Sequence, residues 1–236
     1  MSLTEEPYRE RAARIPGAQV WTRTAVGGEY RILPDGCMDL LLTNDDLVVA
    51  GPDSRAWTGT ADDRGTRYAG LRFAPGSAPA FLGVPARELL NQRVPLAELW
   101  SPSRTRHLRD RILSAPDHSA ALDLEVAKLT EEPADRLITQ VLRSVRSGLL
   151  RGSAGVSRLA GTIGLSERQL HRRCLDAFGY GPKMLDRVLW MNVALDHARA
   201  GLTLADVAVL TGYADQAHFT RDVKALTGLP PKILLG

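Results

Sequence analysis

The hydrophobic and polar positions divide the chain into a part with short apolar runs and a part with helical periodicity. Apolar runs at residues 37–42 and 47–50 are bounded by the turn signals Pro-Asp-Gly, Asn-Asp-Asp and Gly-Pro, a pattern typical of short strands. From residue 84 onwards, apolar residues recur every three or four positions, which predicts short helices. A glycine-rich stretch at residues 148–155 separates the last of these helices from the rest of the chain.

We therefore predict an α+β chain in three parts. Residues 1–83 are expected to form a β-rich sandwich or barrel, because short strands between many glycine and proline turns pack in that way. Residues 84–150 are expected to form a helical connector, and residues 151–236 an all-α domain. One connector helix carries an apolar stripe that either packs within the chain or forms a dimer interface; its residues are Leu137, Val141 and Val145.

The C-terminal part contains an internal repeat. Residues 159–183 align with residues 207–232 at a spacing of 48 residues, which becomes 49 after one insertion in the turn. The aligned pairs are Ala160 and Ala208, Gly164 and Gly212, Leu170 and Phe219, Arg172 and Arg221, Gly179 and Gly228, and Pro182 and Pro231. Each copy consists of a short predicted helix, a glycine-bearing turn and a second helix that ends at a glycine, which is helix-turn-helix geometry.

The second helix of the first copy has a predicted buried face and a polar outward face. Leu170, Cys174 and Ala177 fall on one side of it. Ser166 and Gln169 can form a capping box at its start. The outward residues are Arg168, His171 and Arg172.

The second copy follows the same pattern. Phe219, Val223 and Leu226 are expected to be buried, and Asp215 is the expected N-cap. The outward residues are Gln216, Ala217, Thr220, Arg221 and Lys224. Because arginine and glutamine can each form two hydrogen bonds to a base edge in the major groove, the two outward faces predict contact with double-stranded DNA.

A predicted helix of about 17 residues joins the two copies and spans roughly 25 Å. Successive major grooves on one side of a duplex lie ~34 Å apart. A rigid helix of this length can therefore hold two reading helices near successive grooves.

The segments "GLSERQLHRRCLDAFGYGPK" and "GYADQAHFTR", the latter followed by "TGLPP", resemble the DNA-binding domain of AraC/XylS-type transcription regulators. The resemblance implies two helix-turn-helix units joined by a long helix. It implies base-facing positions at Arg168, His171 and Arg172 in the first unit and at Gln216, Ala217, Thr220 and Arg221 in the second. The chain departs from the family at Cys174, where a phenylalanine is usual, and at Ala217, which is too short to form a hydrogen bond with a base.

The segments "ILPDGCMDLLL" and "GLRFAPGSAPAFLGVPARELLNQRVPLAEL" are similar to an N-terminal domain found in a subset of these regulators. This resemblance implies a β-rich, cupin-like domain with a regulatory or dimer-forming role. Aromatic residues of this part either line an effector pocket or form the core; they are Trp21, Tyr30, Trp57, Tyr68 and Phe73.

The composition agrees with a globular cytoplasmic protein. The 236 residues are 44% hydrophobic and 24% charged, and no apolar run is long enough to cross a bilayer. The N-terminus carries charges where a signal peptide requires an apolar segment. Residues 151–236 hold 11 Lys and Arg against 7 Asp and Glu, so the basic surplus lies in the part predicted to bind an anion.

Two residues raise the question of catalysis. His218 has no neighbouring Cys or His as a second metal ligand, so we expect it to pack or to contact phosphate, with base reading as the alternative. Cys37 lies between Asp35 and Asp39, and some proteins with this DNA-binding domain carry a cysteine that accepts methyl groups during DNA repair. Those proteins use a zinc site with several cysteines, whereas this chain has 2 cysteines, so we expect Cys37 to be structural.

The sequence thus predicts a bacterial transcription regulator under the control of an effector or of dimerisation. The alternative is a DNA-repair or modifying enzyme with Cys37 as its reactive residue. We expect no catalytic activity, no cofactor and no metal. The expected partners are double-stranded DNA and a small-molecule effector, with a second copy of the chain and RNA polymerase as further candidates, and no membrane.

Overall fold

The computed structural model describes residues 6–61, 65–129, 135–152 and 154–236. Its strands, in chain order, are β1 (Glu6–Ala12), β2 (Gln19–Ala25), β3 (Glu29–Ile32), β4 (Met38–Thr43), β5 (Asp46–Ala50), β6 (Trp57–Thr60), β7 (Thr66–Phe73) and β8 (Arg93–Pro95). Its helices are α1 (Ala78–Leu82), a 3-10 helix (Ala86–Leu89), α2 (Leu96–Leu99), α3 (Pro102–Leu113), α4 (His118–Leu129), α5 (Arg136–Arg146), α6 (Gly155–Thr162), α7 (Glu167–Phe178), α8 (Pro182–Arg199), α9 (Leu204–Leu210), α10 (Gln216–Thr227) and α11 (Pro231–Leu234).

The N-terminal part is built on two antiparallel sheets. One has six strands in the order β1-β2-β7-β4-β5-β8, and the other pairs β3 with β6. Successive side chains of a strand point to opposite faces, and β4 follows this rule. Its residues Met38, Leu40 and Leu42 are buried in a core with α3 and α4, whereas Asp39 and Leu41 face a cavity.

The helices between residues 84 and 150 are divided between two cores, and a third core holds the second helix-turn-helix unit. Leu108 and Ile112 of α3 and Leu122 of α4 join the core of the six-stranded sheet. Val141 and Val145 of α5 are fully buried in a second cluster together with residues of α6, α7 and α8. The apolar stripe of α5 therefore packs within the chain. The strand β8 lies beyond residue 83 and still belongs to the six-stranded sheet. The division of the chain at residues 83 and 150 stays a prediction.

The C-terminal part contains two helix-turn-helix units, α6–α7 and α9–α10, joined by the 18-residue helix α8. The repeat seen in the sequence is reproduced in the backbone. Gly164 and Gly212 have φ values of +70° and +71°, and Gly179 and Gly228 have +81° and +79°. Such left-handed conformations favour glycine. The predicted α+β class, with a β-rich N-terminal part and an all-α C-terminal part, is confirmed.

Candidate DNA-binding surface and cavity

A capping box fixes the start of α7. Ser166 Oγ accepts a hydrogen bond from the backbone N–H of Gln169 at 3.2 Å, and Gln169 Oε1 accepts one from the backbone N–H of Ser166 at 2.8 Å. Leu170, Cys174 and Ala177 are buried, as predicted. Because the start of a helix and its buried face determine its rotation, the outward residues follow from these contacts.

The outward residues of α7 are exposed. Arg168 and Arg172 lie one helical turn apart and form no hydrogen bond or ion pair with a described residue. His171 is held differently, because its imidazole packs against Gly181 so closely that a Cβ on that glycine would meet the ring. Both arginine side chains are therefore free to contact an anionic partner.

The helix α10 presents a matching surface. Asp215 Oδ1 caps it by accepting a hydrogen bond from the backbone N–H of His218 at 2.6 Å, and Phe219, Val223 and Leu226 are buried as predicted. Of the predicted outward residues, Thr220 is half-buried; the exposed ones are Gln216, Ala217, Arg221 and Lys224.

His218 stabilises the turn before α10. Its Nδ1 accepts a hydrogen bond from the backbone N–H of Ala214 at 3.3 Å, and its ring packs edge-on against Tyr213 at a centroid distance of 5.3 Å. No group of three or more His, Cys, Asp or Glu in the described part of the chain could hold a metal ion. These contacts favour a packing role for His218, which stays a prediction.

Two arginines that sequence reasoning missed attach the second unit to the rest of the domain. Arg187 of α8 forms an ion pair with Asp222 of α10, with Nη2 2.6 Å from Oδ1, and Tyr213 donates a hydrogen bond to the same carboxylate at 3.2 Å. Arg151 donates a hydrogen bond to the carbonyl of Thr211 and stacks on Trp190. Arg187 lies 35 residues from Asp222 and Arg151 lies 60 residues from Thr211, so no local sequence pattern predicts these two contacts.

A cavity of about 410 Å³ lies between the two N-terminal sheets. Four of the five aromatic residues proposed for an effector pocket line it; these are Trp21, Tyr30, Trp57 and Tyr68. Phe73 instead lies in the core, where its ring contacts Phe81. The charged side chains in the lining are Arg23, Arg31, Arg72, Arg93, Asp35, Asp39 and Asp53.

One side of the cavity contains a bidentate ion pair between Arg93 and Asp53. Arg93 donates to both carboxylate oxygens of Asp53, at 2.7 and 3.1 Å, and its guanidinium lies 4.4 Å from the ring centre of Trp57. Two parallel hydrogen bonds and a ring contact orient the guanidinium strongly. The pair joins β8 to the loop that follows β5.

A second charged group lies on the six-stranded sheet. Arg72 Nε lies 3.3 Å from Asp39 Oδ1 and 3.5 Å from Asp35 Oδ2, and Trp21 Nε1 donates a hydrogen bond to Asp39 at 2.7 Å. Burial raises the pKa of Asp39 to about 6, although the nearby Arg72 charge acts in the opposite direction.

Cys37 also lines the cavity, where its thiol is unsuited to nucleophilic attack. Burial, and next the negative charge of Asp35, raise the pKa of the thiol well above its usual value. The thiolate is the nucleophilic form, so this setting opposes reactivity. The geometry therefore favours a structural role for Cys37.

The comparisons with known proteins agree with this architecture. Residues 159–235 match a family model described as a helix-turn-helix domain. The C-terminal third of the chain is an AraC-type helix-turn-helix domain. Residues 18–95 match a model described as a domain of unknown function (DUF6597), so the AraC-type domain follows a separate N-terminal one. No curated protein sequence matches the chain significantly.

Solved structures of ToxT from Vibrio cholerae share the fold. One, from strain O395, has 10% sequence identity and a TM-score of 0.52, and covers 92% of this chain and 96% of that chain. Another, in a P21 crystal form, has 12% identity and a TM-score of 0.53, and covers 92% and 97%. This likeness shows the fold alone. The AraC-type helix-turn-helix domain at residues 159–235 supports a DNA-binding transcription regulator. No described helix is long and apolar enough to cross a membrane.

Proposed function

We propose that the chain is a sequence-specific transcription regulator that places α7 and α10, its recognition helices, in successive major grooves of DNA. The observation that carries this proposal is the matched pair of outward faces. Arg168, Arg172 and Arg221 are exposed and have no partner among the described residues. An arginine in this setting can form two hydrogen bonds to guanine or neutralise a phosphate.

The length of α8 supports simultaneous reading by both helices. Its 18 residues span roughly 27 Å at 1.5 Å per residue, which is close to the ~34 Å between successive major grooves once the recognition helices project from its ends. The exposed Ala217 contributes no hydrogen bond to a base. The second unit is therefore expected to be less selective than the first.

Effector control has the stronger support of the two routes of regulation. The cavity combines aromatic walls with fixed charged groups, which is typical of small-molecule sites. Dimerisation through the α5 stripe has less support, because Val141 and Val145 are buried within the chain. Regulation then requires that the bound protein recruit RNA polymerase or exclude it from a promoter.

The chain is proposed to catalyse no reaction. The alternative of a DNA-repair or modifying enzyme depends on Cys37, and the raised pKa of that thiol weakens the case for it. Treatment with a methylating agent and mass spectrometry of Cys37 tests the alternative directly. Stoichiometric methylation at Cys37 would support the DNA-repair enzyme instead.

Selection of bound duplexes from a random DNA library tests the proposal. We expect an enriched site with two blocks about one helical turn apart. Arg172→Ala should relax one block and Arg221→Ala the other, whereas Arg67→Ala, a change of an exposed arginine on β7, should relax neither.

Other results would correct the proposal in defined ways. Enrichment of a single block that Arg221→Ala leaves unchanged would mean that α10 only contacts phosphates. No enrichment with any duplex would contradict sequence-specific reading and favour an architectural or enzymatic role.

A further inference from the structure

The C-terminal end of α10 is held by the N-terminal part of the chain. Arg31, on β3, donates a hydrogen bond from Nη1 to the carbonyl of Thr227 at 2.8 Å, and the backbone N–H of Ala56 donates to the carbonyl of Leu226 at 2.7 Å. The last carbonyls of a helix have no partner within the helix. Here the N-terminal part that contains the cavity, described from Glu6 to Pro95 and called the cavity domain below, supplies two of those partners.

The C-terminal end of α7 is held by the same domain. A Cβ on Gly179, the residue after α7, would lie 2.6 Å from Pro52 Cγ and 3.3 Å from the carbonyl oxygen of Ala86. Arg87 of the 3-10 helix forms an ion pair with Asp176 of α7. Gly179 aligns with Gly228 in the internal repeat, and Arg31 lies beside Gly228. The cavity domain thus contacts both recognition helices at equivalent points.

A single loop, residues 51–56 between β5 and β6, takes part in both attachments. Its Pro52 contacts the end of α7, and its Ala56 binds the end of α10. The loop is braced at its centre by the Arg93–Asp53 pair and by a hydrogen bond from the backbone N–H of Ser54 to Asn91 Oδ1 at 2.8 Å. A loop fixed in this way can hold its two ends at a constant separation.

We propose that Arg31 and the 51–56 loop are positioning elements that fix the separation of α7 and α10, and thereby the spacing between the two base blocks that the chain reads. The inference rests on the proposed two-helix function. The contacts lie at the C-terminal ends of the helices, and helix-turn-helix proteins read bases with the N-terminal ends. A displacement at one end of a rigid helix is transmitted to the other.

The same elements form part of the cavity wall. Gly51 and Asp53 of the loop and Arg31 and Leu33 of the β3 region line the cavity. Leu33 also packs against the core of the second helix-turn-helix unit, and Pro34 accepts a hydrogen bond from Asn192 of α8 at 2.7 Å. A molecule that displaces this wall therefore acts on the separation of the recognition helices.

The test uses the full chain and the two-block duplex obtained by the selection above. A second duplex has one base pair inserted between the blocks, and a third retains one block only. We expect the wild-type protein to discriminate strongly against the insertion. Arg31→Ala should reduce that discrimination about tenfold, the factor expected for one charged hydrogen bond. Its affinity for the one-block duplex should be unchanged, and its thermal midpoint should fall by no more than the loss of one hydrogen bond explains.

Three matched variants sharpen the result. Arg31→Lys keeps a donor for the Thr227 carbonyl and should restore most of the spacing preference. Pro52→Ala removes part of the contact with the end of α7 and should also weaken the preference for the original block spacing. Arg67→Ala removes an exposed arginine of β7 and should behave as wild type.

The outcomes separate the inference from the function on which it rests. An unchanged spacing preference in both Arg31→Ala and Pro52→Ala overturns the inference alone. Equal loss of affinity on all three duplexes also overturns it, because Arg31 would then act on DNA or on folding. Absence of any two-block site from the selection overturns the inference and the proposed function together.

Discussion

Arg187 and Asp222 form the ion pair that joins the long helix α8 to the second recognition helix, with Nη2 and Nε of the arginine 2.6 and 3.0 Å from Oδ1 of the carboxylate. The Asp222 side chain is 11% exposed, so solvent can replace little of this interaction. Because Tyr213 also donates to the carboxylate, Asp222 is the centre of a small polar network. The orientation of α10 on α8 depends on it.

Replacement of Arg187 by methionine is therefore expected to destabilise the chain. The change keeps the length of the side chain but leaves a nearly buried carboxylate with one donor, which costs about 1–3 kcal/mol in the free energy of unfolding. Urea unfolding measures the loss. Arg199→Met is the control, because its partner Asp196 is 72% exposed and such surface pairs contribute about 0–1 kcal/mol. Equal losses in both variants would contradict the special role of the buried pair.

Gly70 determines the position of Trp21 in the cavity. The indole of Trp21 lies over Gly70 on the neighbouring strand, and a Cβ at residue 70 would overlap the ring. We expect Gly70→Ala to displace the indole, to break its hydrogen bond to Asp39 and to lower the free energy of unfolding by about 1–3 kcal/mol. Tryptophan fluorescence and thermal unfolding check both effects.

The control for Gly70 is Gly161, an exposed glycine inside α6. A Cβ there meets no atom within 4 Å in the part of the chain that the structure describes, and alanine favours a helix by up to about 1 kcal/mol relative to glycine. Gly161→Ala should therefore leave the fluorescence unchanged and raise the thermal midpoint. An unchanged tryptophan signal in Gly70→Ala would show that the cavity wall accommodates the methyl group.

The two glycines that end the recognition helices provide a comparison within the chain. Gly179 and Gly228 have nearly equal positive φ values, so alanine is strained at both by about 1 kcal/mol. At Gly179 the added Cβ also lies 2.6 Å from the rigid ring of Pro52, whereas at Gly228 it lies 3.2 Å from Arg31 Nη1, which needs to shift by only a few tenths of an ångström. Gly179→Ala should therefore lower the thermal midpoint more than Gly228→Ala.

Gly152 supplies the baseline for this comparison. It has a similar positive φ, and a Cβ there would meet no atom of a described residue within 4 Å. Gly152→Ala should thus report the backbone strain alone. If Gly179→Ala and Gly152→Ala lower the thermal midpoint equally, Pro52 does not hold the end of α7.

The features that the sequence predicted are those set by local pattern. The buried faces of α7 and α10, their caps and the matched glycine pairs depend on residues within a few positions of one another. The cavity charges depend on strand order instead. Arg72 meets Asp39 because β7 pairs with β4, and Arg93 meets Asp53 across 40 residues of sequence. The strand β8 was not predicted because its three residues lie within a segment whose apolar positions have helical spacing.

Asp39 gives the cavity a measurable pH dependence. Its side chain is 14% exposed and its pKa lies at about 6, above the usual value of 3.8. Between these two values the folded chain holds a proton that the unfolded chain has released. The free energy of unfolding therefore falls as the pH rises from about 4 to about 6, and the contribution of Asp39 to this fall is on the order of 2 kcal/mol.

Replacement of Asp39 by asparagine should remove this part of the decline. Asparagine keeps an oxygen acceptor for the Trp21 N–H but does not titrate, so the variant should gain stability relative to wild type as the pH rises. Urea unfolding at several pH values between about 4 and about 7 measures the difference. Asp46→Asn, a change of a carboxylate that is 75% exposed, is the control. Parallel pH curves for wild type and Asp39→Asn would mean that Arg72 and Trp21 keep Asp39 ionised in the folded chain, and the cavity would then carry a full negative charge beside Arg72 at acidic pH.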